Sequence, residues 1–521
     1  MDDSRGQKRS GLFAFGFAGL VSAAVLFAVA QLVSVFFATS SAPGVALGST
    51  FIDFTPPWLK DFAIATFGTN DKLALFISIG IVAALLAALV GLLARRSFAA
   101  AAAAILVLAA VIGAAVITRS ATDPMDLVPV AVGTLLGLGT LKWLTGLATT
   151  SYSPAAAEET SPGPSRRKFL LASSLSLLGA LVVAGVGASI SATRNAAEAA
   201  RLALGLPAAK VKAAKVPAGA QVELAGMPKF VTPNEDFYRI DTALSVPRLD
   251  PAEWSLRVHG MVENEFTMSF DELLGQDLVE SYLTLTCVSN PVGGDLVGNA
   301  KWLGYPLRNL LERAVPQNGA DMVLSTSSDG FSASTPIEVL TDDRMALLAV
   351  GMNDEPLPLE HGFPVRMVVP GLYGYVSATK WVVDLEVTRF ADKEAYWTTR
   401  GWSERGPIKM SSRVDVPRSF TQLPPGEVVM GGTAWAQTTG ISKVEVKIDD
   451  EPWQEAELAE EATLDTWRQW RYVWKGGSPG NHSVTVRAYD AEGEIQTSER
   501  ADPVPNGASG WQRVQFSVTD S

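Results

Sequence analysis

Five long apolar stretches near the start of this chain constrain its fold more than any other feature. They are residues 11–39, 73–94, 97–118, 127–149 and 169–191. Each is long enough to cross about 30 Å of hydrocarbon as a helix, and none contains an Asp or Glu. Soluble domains seldom carry such a series, so we predict a multi-helix transmembrane anchor over residues 1–195.

The basic residues that flank these stretches predict how the anchor is oriented. Eight flanking Lys and Arg residues fall on one side of the membrane and three on the other. By the positive-inside rule, the N-terminus is then cytoplasmic. Five crossings place everything after about residue 195 outside the cytoplasm. The predicted location is therefore the cell membrane, multi-pass, with the larger part of the chain extracytoplasmic.

A pair of arginines precedes the last apolar stretch. Residues 165–170, Ser-Arg-Arg-Lys-Phe-Leu, follow a linker from Thr149 to Pro164 that is rich in Ala, Ser, Thr and Pro. Two arginines before a helix can simply obey the positive-inside rule. The flanking Ser and Phe-Leu favour a twin-arginine export signal, which a receptor reads. Because that route exports folded cargo, it suggests a domain that acquires a cofactor before crossing.

Residue counts exclude several kinds of site from the rest of the chain. Residues 201–521 carry 29 Lys and Arg against 44 Asp and Glu, without a long basic run, which argues against nucleic-acid binding. Cys287 is the only cysteine, so neither an intrachain disulfide nor a Cys-based zinc site can form. Three scattered histidines argue against a His-rich metal site.

The pattern beyond the anchor predicts a linker, 196–228, followed by two domains. Residues 229–405 alternate short β-rich runs, Gly/Pro/Asn turns and helical pieces, which indicates an α+β domain. Residues 406–521 are nearly all strands with turns about every 10 residues, which is typical of an immunoglobulin-like sandwich. The predicted strands are Trp254–Gly260, Tyr282–Thr286, Met322–Ser325, Val365–Val369, Trp381–Thr388, Val428–Ala436, Ser442–Ile448, Arg471–Trp474, Ser483–Tyr489 and Gln512–Val518. The predicted helices of the first domain include Phe270–Leu274 and Leu307–Ala314, and the expected core fillers of the sandwich are Trp435, Trp453, Trp470 and Trp474.

Cys287 stands where a predicted strand runs into the loop Val288–Gly294. A thiol at such a strand end can point into a cavity. A lone cysteine is more often a small buried hydrophobe, but an exported protein that keeps an unpaired thiol needs a reason. As a nucleophile it would need a base; His361 is available, but no Cys-His-Asp order emerges. A soft metal held by one thiolate remains open, provided that a cofactor supplies the other ligands.

A second group of polar residues lies between His361 and Trp381. Glycines in this stretch permit close backbone approach, and Arg366 and Lys380 offer the cationic groups that a phosphate-bearing cofactor needs. Glycine, lysine and serine are ordinary on a surface loop, so this stretch by itself is a weak signal.

Taken together, these motifs resemble the sulfite oxidase family of molybdopterin-dependent oxidoreductases. Thr284–Asn290 and Gly298–Leu307 are similar to the family's cysteine motif, and His361–Arg366 with Pro370–Trp381 to its pterin-binding stretch. Residues 435–453 and 503–510 resemble its C-terminal dimerisation domain. The resemblance runs from about residue 230 to the C-terminus and indicates a membrane-anchored bacterial member. The implied fold is a multi-helix transmembrane anchor, an α+β sulfite-oxidase-like molybdopterin domain and an all-β immunoglobulin-like sandwich.

The resemblance implies roles for individual residues. Cys287 would be the thiolate ligand to molybdenum. Arg239 matches an arginine that faces the oxyanion in sulfite oxidisers, a task that suits the guanidinium fork. These two are the implied catalytic residues. The implied cofactor contacts are Asn234, Phe237, Tyr238, Cys287, His361, Arg366, Ser377, Ala378, Thr379 and Lys380.

The implied activity is oxygen-atom transfer on a small sulfur or nitrogen oxyanion or oxide. The cofactor would be molybdenum-molybdopterin, and electrons would pass to or from a separate partner, a cytochrome or a quinone-linked protein. A homodimer is left open.

Two departures from the family pattern put sulfite as the substrate in question. Val350 stands where sulfite oxidases have a pocket tyrosine, and Pro291-Val292 follow Asn290 where eukaryotic members carry an arginine pair. A methionine-sulfoxide, other S-oxide or N-oxide reductase of the same family is therefore the first alternative. A cofactor-free, membrane-tethered binding protein is the second, and it leaves Cys287, Arg366 and Lys380 unexplained.

Overall fold

The computed structural model describes residues 3–34, 42–56, 71–117, 124–152, 165–193, 196–243 and 246–520, together with residues 37, 59, 62, 66 and 67. The chain divides into two units. The first is Met1–Asn195 with Ala243–Pro247, and the second is Ala196–Thr242 with Arg248–Ser521.

The described part of the first unit is mainly helical. Its helices are α1 (Asp3–Ser34), α2 (Pro43–Phe54), α3 (Asp71–Arg96), α4 (Phe98–Ile117), α5 (Val128–Tyr152) and α6 (Ser165–Thr193). Among the described residues of this unit, four segments are long and apolar enough to cross a membrane, which is compatible with a membrane anchor. They are Leu12–Ser34, Ala74–Arg96, Phe98–Ile117 and Pro124–Thr149, and they coincide with the first four predicted spans.

The fifth predicted span, 169–191, lies on α6, whose side chains are described only from residue 167 to residue 183. It therefore stays a prediction, as does the orientation of the anchor. Because α6 begins at Ser165, the two arginines of the proposed export signal lie in its first turn. Residues 153–164, most of the predicted cytoplasmic linker, lie outside the described residues.

Glycines let α1 and α3 approach each other closely. A Cβ added at Gly91 would lie 2.1 Å from the carbonyl oxygen of Phe15, and one added at Gly19 would lie 2.0 Å from that of Ala87. On another face of α1, Ser22 Oγ donates a hydrogen bond to the carbonyl oxygen of Gly137 at 2.7 Å. Small residues at helix crossings and interhelical hydrogen bonds are what hold apolar helices together in lipid.

Gly91→Ala tests this crossing. The added methyl group meets the backbone of α1, which cannot move away as a flexible side chain could, so we expect a loss of about 1–3 kcal/mol of stability. Thermal unfolding of the full chain in detergent measures it. Gly80→Ala in the same helix is the matched control, because no described atom lies within 4 Å of a Cβ there. Equal melting temperatures for the two variants would contradict the proposed close contact.

The second unit begins with a short helix and continues with two five-stranded sheets that share one apolar core. One sheet has the strand order β2-β1-β10-β5-β6, and the other has β3-β4-β7-β8 with β9 paired to β7. The helices are α7 (Ala196–Ala203), α8 (Phe270–Leu274), α9 (Leu307–Ala314) and α10 (Ile337–Thr341). The strands are β1 (Ser255–Gly260), β2 (Phe266–Ser269), β3 (Val279–Thr286), β4 (Val297–Pro306), β5 (Met322–Ser327), β6 (Ser332–Pro336), β7 (Leu347–Met352), β8 (Glu355–Pro356), β9 (Arg366–Val368) and β10 (Val382–Thr388).

The secondary structure predicted for this part is confirmed. Both predicted helices have the observed bounds, and each predicted strand coincides with an observed one to within a few residues. Part of the predicted linker runs along the edge of the second sheet. Lys210 N donates to the carbonyl oxygen of Leu278 at 2.8 Å, and Glu280 N donates to that of Val211 at 2.9 Å. This early segment of the second unit thus pairs with β3.

The C-terminal part consists of two further sheets that enclose a second core. Their strand orders are β11-β13-β17-β16 and β12-β19-β18-β14-β15. The strands are β11 (Ser411–Val416), β12 (Gln422–Leu423), β13 (Gly426–Trp435), β14 (Ile441–Ile448), β15 (Gln454–Glu455), β16 (Glu457–Leu458), β17 (Arg468–Gly477), β18 (Gly480–Asp490) and β19 (Gln512–Val518). All five predicted strands are present; the assignment to the immunoglobulin type stays a prediction.

Two of the four tryptophans expected in the core of this domain lie elsewhere. Trp470 and Trp474 belong to it. Trp435 packs instead with Trp467 against Phe230, which precedes the first sheet. The ring of Trp453 is only half-buried and lies 5.1 Å from that of Trp511 in an edge-to-face contact. Sequence alone could not tell a tryptophan in the core of this domain from one packed between this domain and the preceding one, because both bury a large apolar surface.

Candidate active site

The strand β3 presents Cys287 to a pocket. The strand ends at Thr286, and Cys287 is the first residue of the loop that leads to β4. The loop is closed by its own hydrogen bonds: Cys287 N donates to the carbonyl oxygen of Leu296 at 2.9 Å, and Leu296 N donates to Asn290 Oδ1 at 2.9 Å. The thiol is therefore fixed at the point where strand becomes loop.

The cysteine motif also carries residues that build this corner. A Cβ at Gly298 would lie 2.7 Å from the ring of Phe237, so only glycine lets that ring lie against β4. Asn299 is fully buried, and its amide nitrogen donates to the carbonyl oxygen of Phe230 at 2.8 Å. Trp302 Nε1 donates to the carbonyl oxygen of Leu283 on β3 at 3.3 Å.

The second arm of the site runs from His361 through β9 to Lys380. Arg366 and Lys380 pair through their backbones as an isolated bridge, which brings both side chains to one edge. Gly362 has a φ of 111°, and a Cβ there would lie 3.0 Å from that of Arg366 and 3.1 Å from that of Lys380. Glycine is required at this turn both for the left-handed backbone and for space.

These two arms meet in a pocket that is partly open to solvent and has a cavity volume of about 110 Å³. Cys287 and the buried cations Arg366 and Lys380 all line this pocket. The pocket is lined by Phe237, Tyr238, Ile240, Asp241, Thr242, Cys287, Val288, Ser289, Ser327, Asp329, Phe331, His361, Arg366, Gly374, Tyr375, Ala378, Lys380, Trp381, Trp397 and Trp402.

The guanidinium of Arg366 is anchored by backbone oxygens. Its Nη1 donates to the carbonyl oxygen of His361 at 3.1 Å, and its Nε donates to that of Met367 at 3.3 Å. The group lies 5.1 Å from the ring of Trp302. Burial lowers the pKa of Arg366 to about 10, which leaves it charged at neutral pH.

Lys380 is held by a buried carboxylate. Its Nζ donates to Asp241 Oδ2 at 2.9 Å and to the carbonyl oxygen of Glu360 at 3.0 Å. The side chains of Lys380 and Asp241 are only 10% and 4% exposed. Burial lowers the pKa of Lys380 to about 8, and the Asp241 charge opposes that shift. The same Asp241 oxygen accepts a hydrogen bond from Arg239 Nε at 3.0 Å.

Three further groups of the pocket, His361, Cys287 and Tyr238, are held neutral. Burial, with a contribution from Arg366, lowers the pKa of His361 to about 4. Its Nε2 lies 3.0 Å from the carbonyl oxygen of Asn234, which can only accept, so Nε2 carries the proton. Burial raises the pKa of the Cys287 thiol and that of Tyr238. The pocket therefore has a cationic wall beside a thiol.

Comparison with known proteins agrees with this geometry. A family model described as oxidoreductase molybdopterin binding domain matches residues 243–397. Rat sulfite oxidase is 28% identical over 345 residues, which cover 56% of this chain and 62% of the rat protein. The catalytic subunit of the protein-methionine-sulfoxide reductase MsrP from Ralstonia nicotianae is 32% identical over 268 residues, which cover 46% of this chain and 76% of MsrP. The uncharacterized oxidoreductase YuiH from Bacillus subtilis is 32% identical over 160 residues, 30% of this chain and 76% of YuiH.

The chain belongs to the sulfite oxidase family. The predicted family is thereby confirmed, together with the oxidoreductase class and the molybdenum-molybdopterin cofactor that characterise it. The chain spans only about 62% of the length of the sulfite oxidase it matches.

The residues of the pocket fit the cofactor of the sulfite oxidase family. Two buried cations suit the phosphate of a pterin, and a single thiol suits a soft metal whose other ligands come from the cofactor. Among the described residues, no group of three or more His, Cys, Asp and Glu side chains could hold a bare metal ion. Within the same residues, Thr286 Oγ1 and Ser328 Oγ, next to pocket-lining residues, are buried without a hydrogen-bond partner.

The structure brings seven of the eleven predicted site residues to the pocket wall and leaves four behind it. Those at the wall are Phe237, Tyr238, Cys287, His361, Arg366, Ala378 and Lys380. Asn234 bonds to Asn353 and Glu355 through its side chain. Ser377 donates to the carbonyl oxygen of Tyr373, and Thr379 Oγ1 lies 2.7 Å from Ser325 Oγ. Arg239, which is 42% exposed, is not among the pocket-lining residues and pairs with Asp241. The functional roles of all eleven predicted site residues stay predictions.

Val350, which replaces the tyrosine of sulfite oxidases, does not line the pocket either. It is fully buried in the core between the two sheets. A tyrosine at this position would have to displace core side chains, unless the backbone of β7 turned it outward.

Sequence reasoning missed the acidic and aromatic part of the wall. Asp241 is the carboxylate that pairs with Lys380. Its position two residues after Arg239 was the sequence feature that could have identified it. Asp329, Phe331, Trp397 and Trp402 come from loops after β5 and β10, far from the recognised motifs. Tyr375, whose hydroxyl donates to the carbonyl oxygen of Ser403 at 2.7 Å, lies inside the pterin-binding stretch and could have been named.

Asp241→Ala removes the carboxylate that faces the Lys380 ammonium. We expect a loss of about 3–5 kcal/mol in the free energy of unfolding near neutral pH, because a buried cation is left without its partner. The loss should shrink as the pH rises towards 8 and be smallest above it, because the amine of the variant, whose pKa is lower still, and then the wild-type amine lose their protons. Urea titration of the full chain in detergent at several pH values measures both effects.

Asp277→Ala is the matched control for this prediction. Asp277 pairs with Lys210, and both side chains are more than 60% exposed. Its removal should change stability by no more than about 0.5 kcal/mol. A similar loss for both variants, or a loss at Asp241 that does not depend on pH, would contradict the electrostatic account.

Proposed function

We propose that this chain is a membrane-anchored, extracytoplasmic, molybdopterin-dependent oxidoreductase that transfers an oxygen atom to or from a small sulfur or nitrogen oxyanion or oxide. The observation that carries the proposal is the convergence of Cys287 with the buried cations Arg366 and Lys380 on one pocket. With sulfite, one water and one sulfite would give sulfate, two protons and two electrons. With a sulfoxide, two protons and two electrons would give the sulfide and water.

The residues of the pocket would divide the work between holding the cofactor and admitting the substrate. Molybdenum on the pterin dithiolene supplies the two-electron oxygen-atom exchange. Cys287 would be its protein ligand, while Arg366 and Lys380 would hold the pterin phosphate, with neutral His361 beside them as an acceptor through Nδ1. Phe237, Tyr238 and Ala378 would pack against the cofactor.

Residues behind the pocket wall would support these contacts. Asn234 would fix His361 through its backbone carbonyl, and the hydrogen bonds of Ser377 and Thr379 would fix the backbone around Ala378. Arg239 would reach an oxyanion only by leaving Asp241.

The surroundings of the chemistry are also part of the proposal. Apolar N-terminal helices support an anchor, and the basic residues in the first turn of α6 support export of a folded domain to the outer face. Electrons would then pass to or from a separate partner, a cytochrome or a quinone-linked protein. A homodimer through an immunoglobulin-like C-terminal domain would be in keeping with the family resemblance.

A sulfoxide or other neutral oxide is the second candidate substrate, and the pairing of Arg239 supports it. A guanidinium that pairs with Asp241, the carboxylate it shares with Lys380, offers less to a charged oxyanion than an unpaired one does. The pocket wall also includes Phe331, Trp397 and Trp402, which suit an organic substituent better than a small anion. The relative MsrP, by its name a methionine-sulfoxide reductase, points the same way.

Cys287→Ser tests the metal assignment. Serine is nearly the same size, so the chain should fold and retain pterin through its cations, but sulfur-to-molybdenum charge-transfer absorption and turnover should be lost. Metal analysis and the visible spectrum of the purified protein are the measurements. His259→Gln, on a residue paired with Asp384 and outside the pocket lining, is the control and should keep both. Full turnover by the serine variant would rule out Cys287 as the ligand.

Arg239→Gln separates the two substrate classes. For a charged oxyanion that recruits Arg239, loss of a charge-assisted contact worth about 1.5–3 kcal/mol should lower kcat/KM roughly tenfold to a hundredfold. For a neutral sulfoxide we expect a change of less than about threefold, since no charge is being matched. Kinetics with sulfite and with a dialkyl sulfoxide in the same preparation give the comparison. Equal losses of kcat/KM for both substrates would show that Arg239 does not distinguish between the two substrate classes.

A further inference from the structure

The strand that carries Cys287 lies at the edge of its sheet. In the order β3-β4-β7-β8, β3 has a sheet neighbour on one side only. An edge strand leaves backbone N–H and C=O groups that must find other partners when they are buried. The beginning of β3 is covered by residues 210–213 of the segment that enters this unit.

The end of β3, next to the thiol, is covered by the C-terminal two-sheet domain. Thr284 is fully buried, and its N–H donates to the carbonyl oxygen of Asp465 at 3.0 Å. Its hydroxyl accepts a hydrogen bond from the backbone N–H of Trp467 at 2.8 Å, and its carbonyl oxygen accepts one from Gln437 Nε2. All three partners belong to loops between the C-terminal strands β13, β14, β16 and β17.

Gln437 also reaches the pterin-binding stretch. Its Nε2 donates to the carbonyl oxygen of Asp465 at 2.8 Å as well as to that of Thr284, and its Oε1 accepts from the backbone N–H of Gly371 at 3.2 Å. One buried amide thus bonds to the strand before Cys287, to a loop of the C-terminal domain, and to the segment that leads to Ala378 and Lys380.

The loop that follows Cys287 is held by the same domain. Arg413 Nη1 donates to the carbonyl oxygen of Gly294 at 2.9 Å. A Cβ at Gly293 would lie 2.3 Å from Gln512 Nε2, so this loop lies directly against β19. The other end of that amide, Gln512 Oε1, accepts from Val414 N on β11 at 2.6 Å.

We propose that the C-terminal two-sheet domain is a positioning device for the Cys287 sulfur, with Gln437 as its central residue. The domain forms hydrogen bonds with Thr284, three residues before the thiol, and with Gly294, seven residues after it. An edge strand that ends in a loop would otherwise open locally, and a metal ligand must be held to within about 0.5 Å. That the sulfur is placed for a metal rests on the proposed function; that the domain holds it in place does not.

Alkylation of the thiol tests, without any metal, whether the C-terminal two-sheet domain holds Cys287 in place. Cys287 is the only cysteine, so the reaction of the cofactor-free full chain with iodoacetamide in detergent reports on this one site. In Gln437→Met, which keeps the size but loses the amide, the rate should rise about fivefold, as expected when a hydrogen bond worth about 1 kcal/mol no longer opposes local opening. Thr284→Val, which removes the hydroxyl that accepts from Trp467, should act in the same direction.

Gln496→Met is the matched control. Gln496 is an equally buried amide, but it bonds to Ser412, Ala488 and Gly510 within the C-terminal domain and not to β3. The Gln496→Met variant should lower the melting temperature of the domain. Its alkylation rate should change by less than about twofold, because sites without shared partners affect stability independently of each other. Equal alkylation rates in Gln437→Met, Thr284→Val and Gln496→Met would overturn the proposal.

The loaded protein gives a second readout. Gln437→Met should shift the Mo(V) resonance and the sulfur-to-metal absorption, and Gln496→Met should leave both unchanged. If the wild-type chain shows no such absorption, the proposed ligand role of Cys287 fails, while the alkylation comparison still decides the positioning role. If the absorption is present and identical in all variants and the alkylation rates are also equal, the positioning role fails alone.

Discussion

Burial of positive charge beside a thiol is the constraint on which the rest of this site depends. Arg366 and Lys380 are both less than 10% exposed, and taking such ions out of water costs several kcal/mol each unless their partners are fixed. Backbone oxygens hold Arg366, and Asp241 with a backbone oxygen holds Lys380. The turn at Gly362, the bridge between β9 and Lys380, and the neutral state of His361 all serve this arrangement.

The C-terminal domain participates in the site as well as in its own core. Its loops satisfy the backbone of an edge strand that would otherwise expose unpaired polar groups, and these are the groups next to Cys287. The two cores of the second unit meet through buried side chains such as Trp435, Trp467 and Phe230. Thr284, Gln437 and Trp467 are therefore constrained by both domains at once, and their identity cannot be understood from either alone.

Much of the site could be predicted because the chemistry sits in short contiguous motifs. The cysteine motif and the pterin-binding stretch contribute five of the seven predicted residues that reach the pocket wall: Cys287, His361, Arg366, Ala378 and Lys380. Asp329, Phe331, Trp397 and Trp402 were missed because they join the wall through separate loops. Arg239 was placed by resemblance, but its neighbour Asp241 lies within reach of its guanidinium, and a carboxylate competes with the pocket for it.

The sequence by itself determined the elements of the fold and the residue types of the site. Apolar length defines the candidate spans, and alternation and turn residues define the strands. The resemblance of the cysteine motif and the pterin-binding stretch to a known family predicts the chemistry. Only the tertiary structure decided which of these residues face one another. It set Asp241 between Arg239 and Lys380, moved Trp435 from a core to a junction, and put Gln437 behind the strand of the thiol. The pairs Asp241–Lys380 and Thr284–Gln437 join positions more than 100 residues apart. Local pattern carries no information about which distant partner will satisfy a buried polar group.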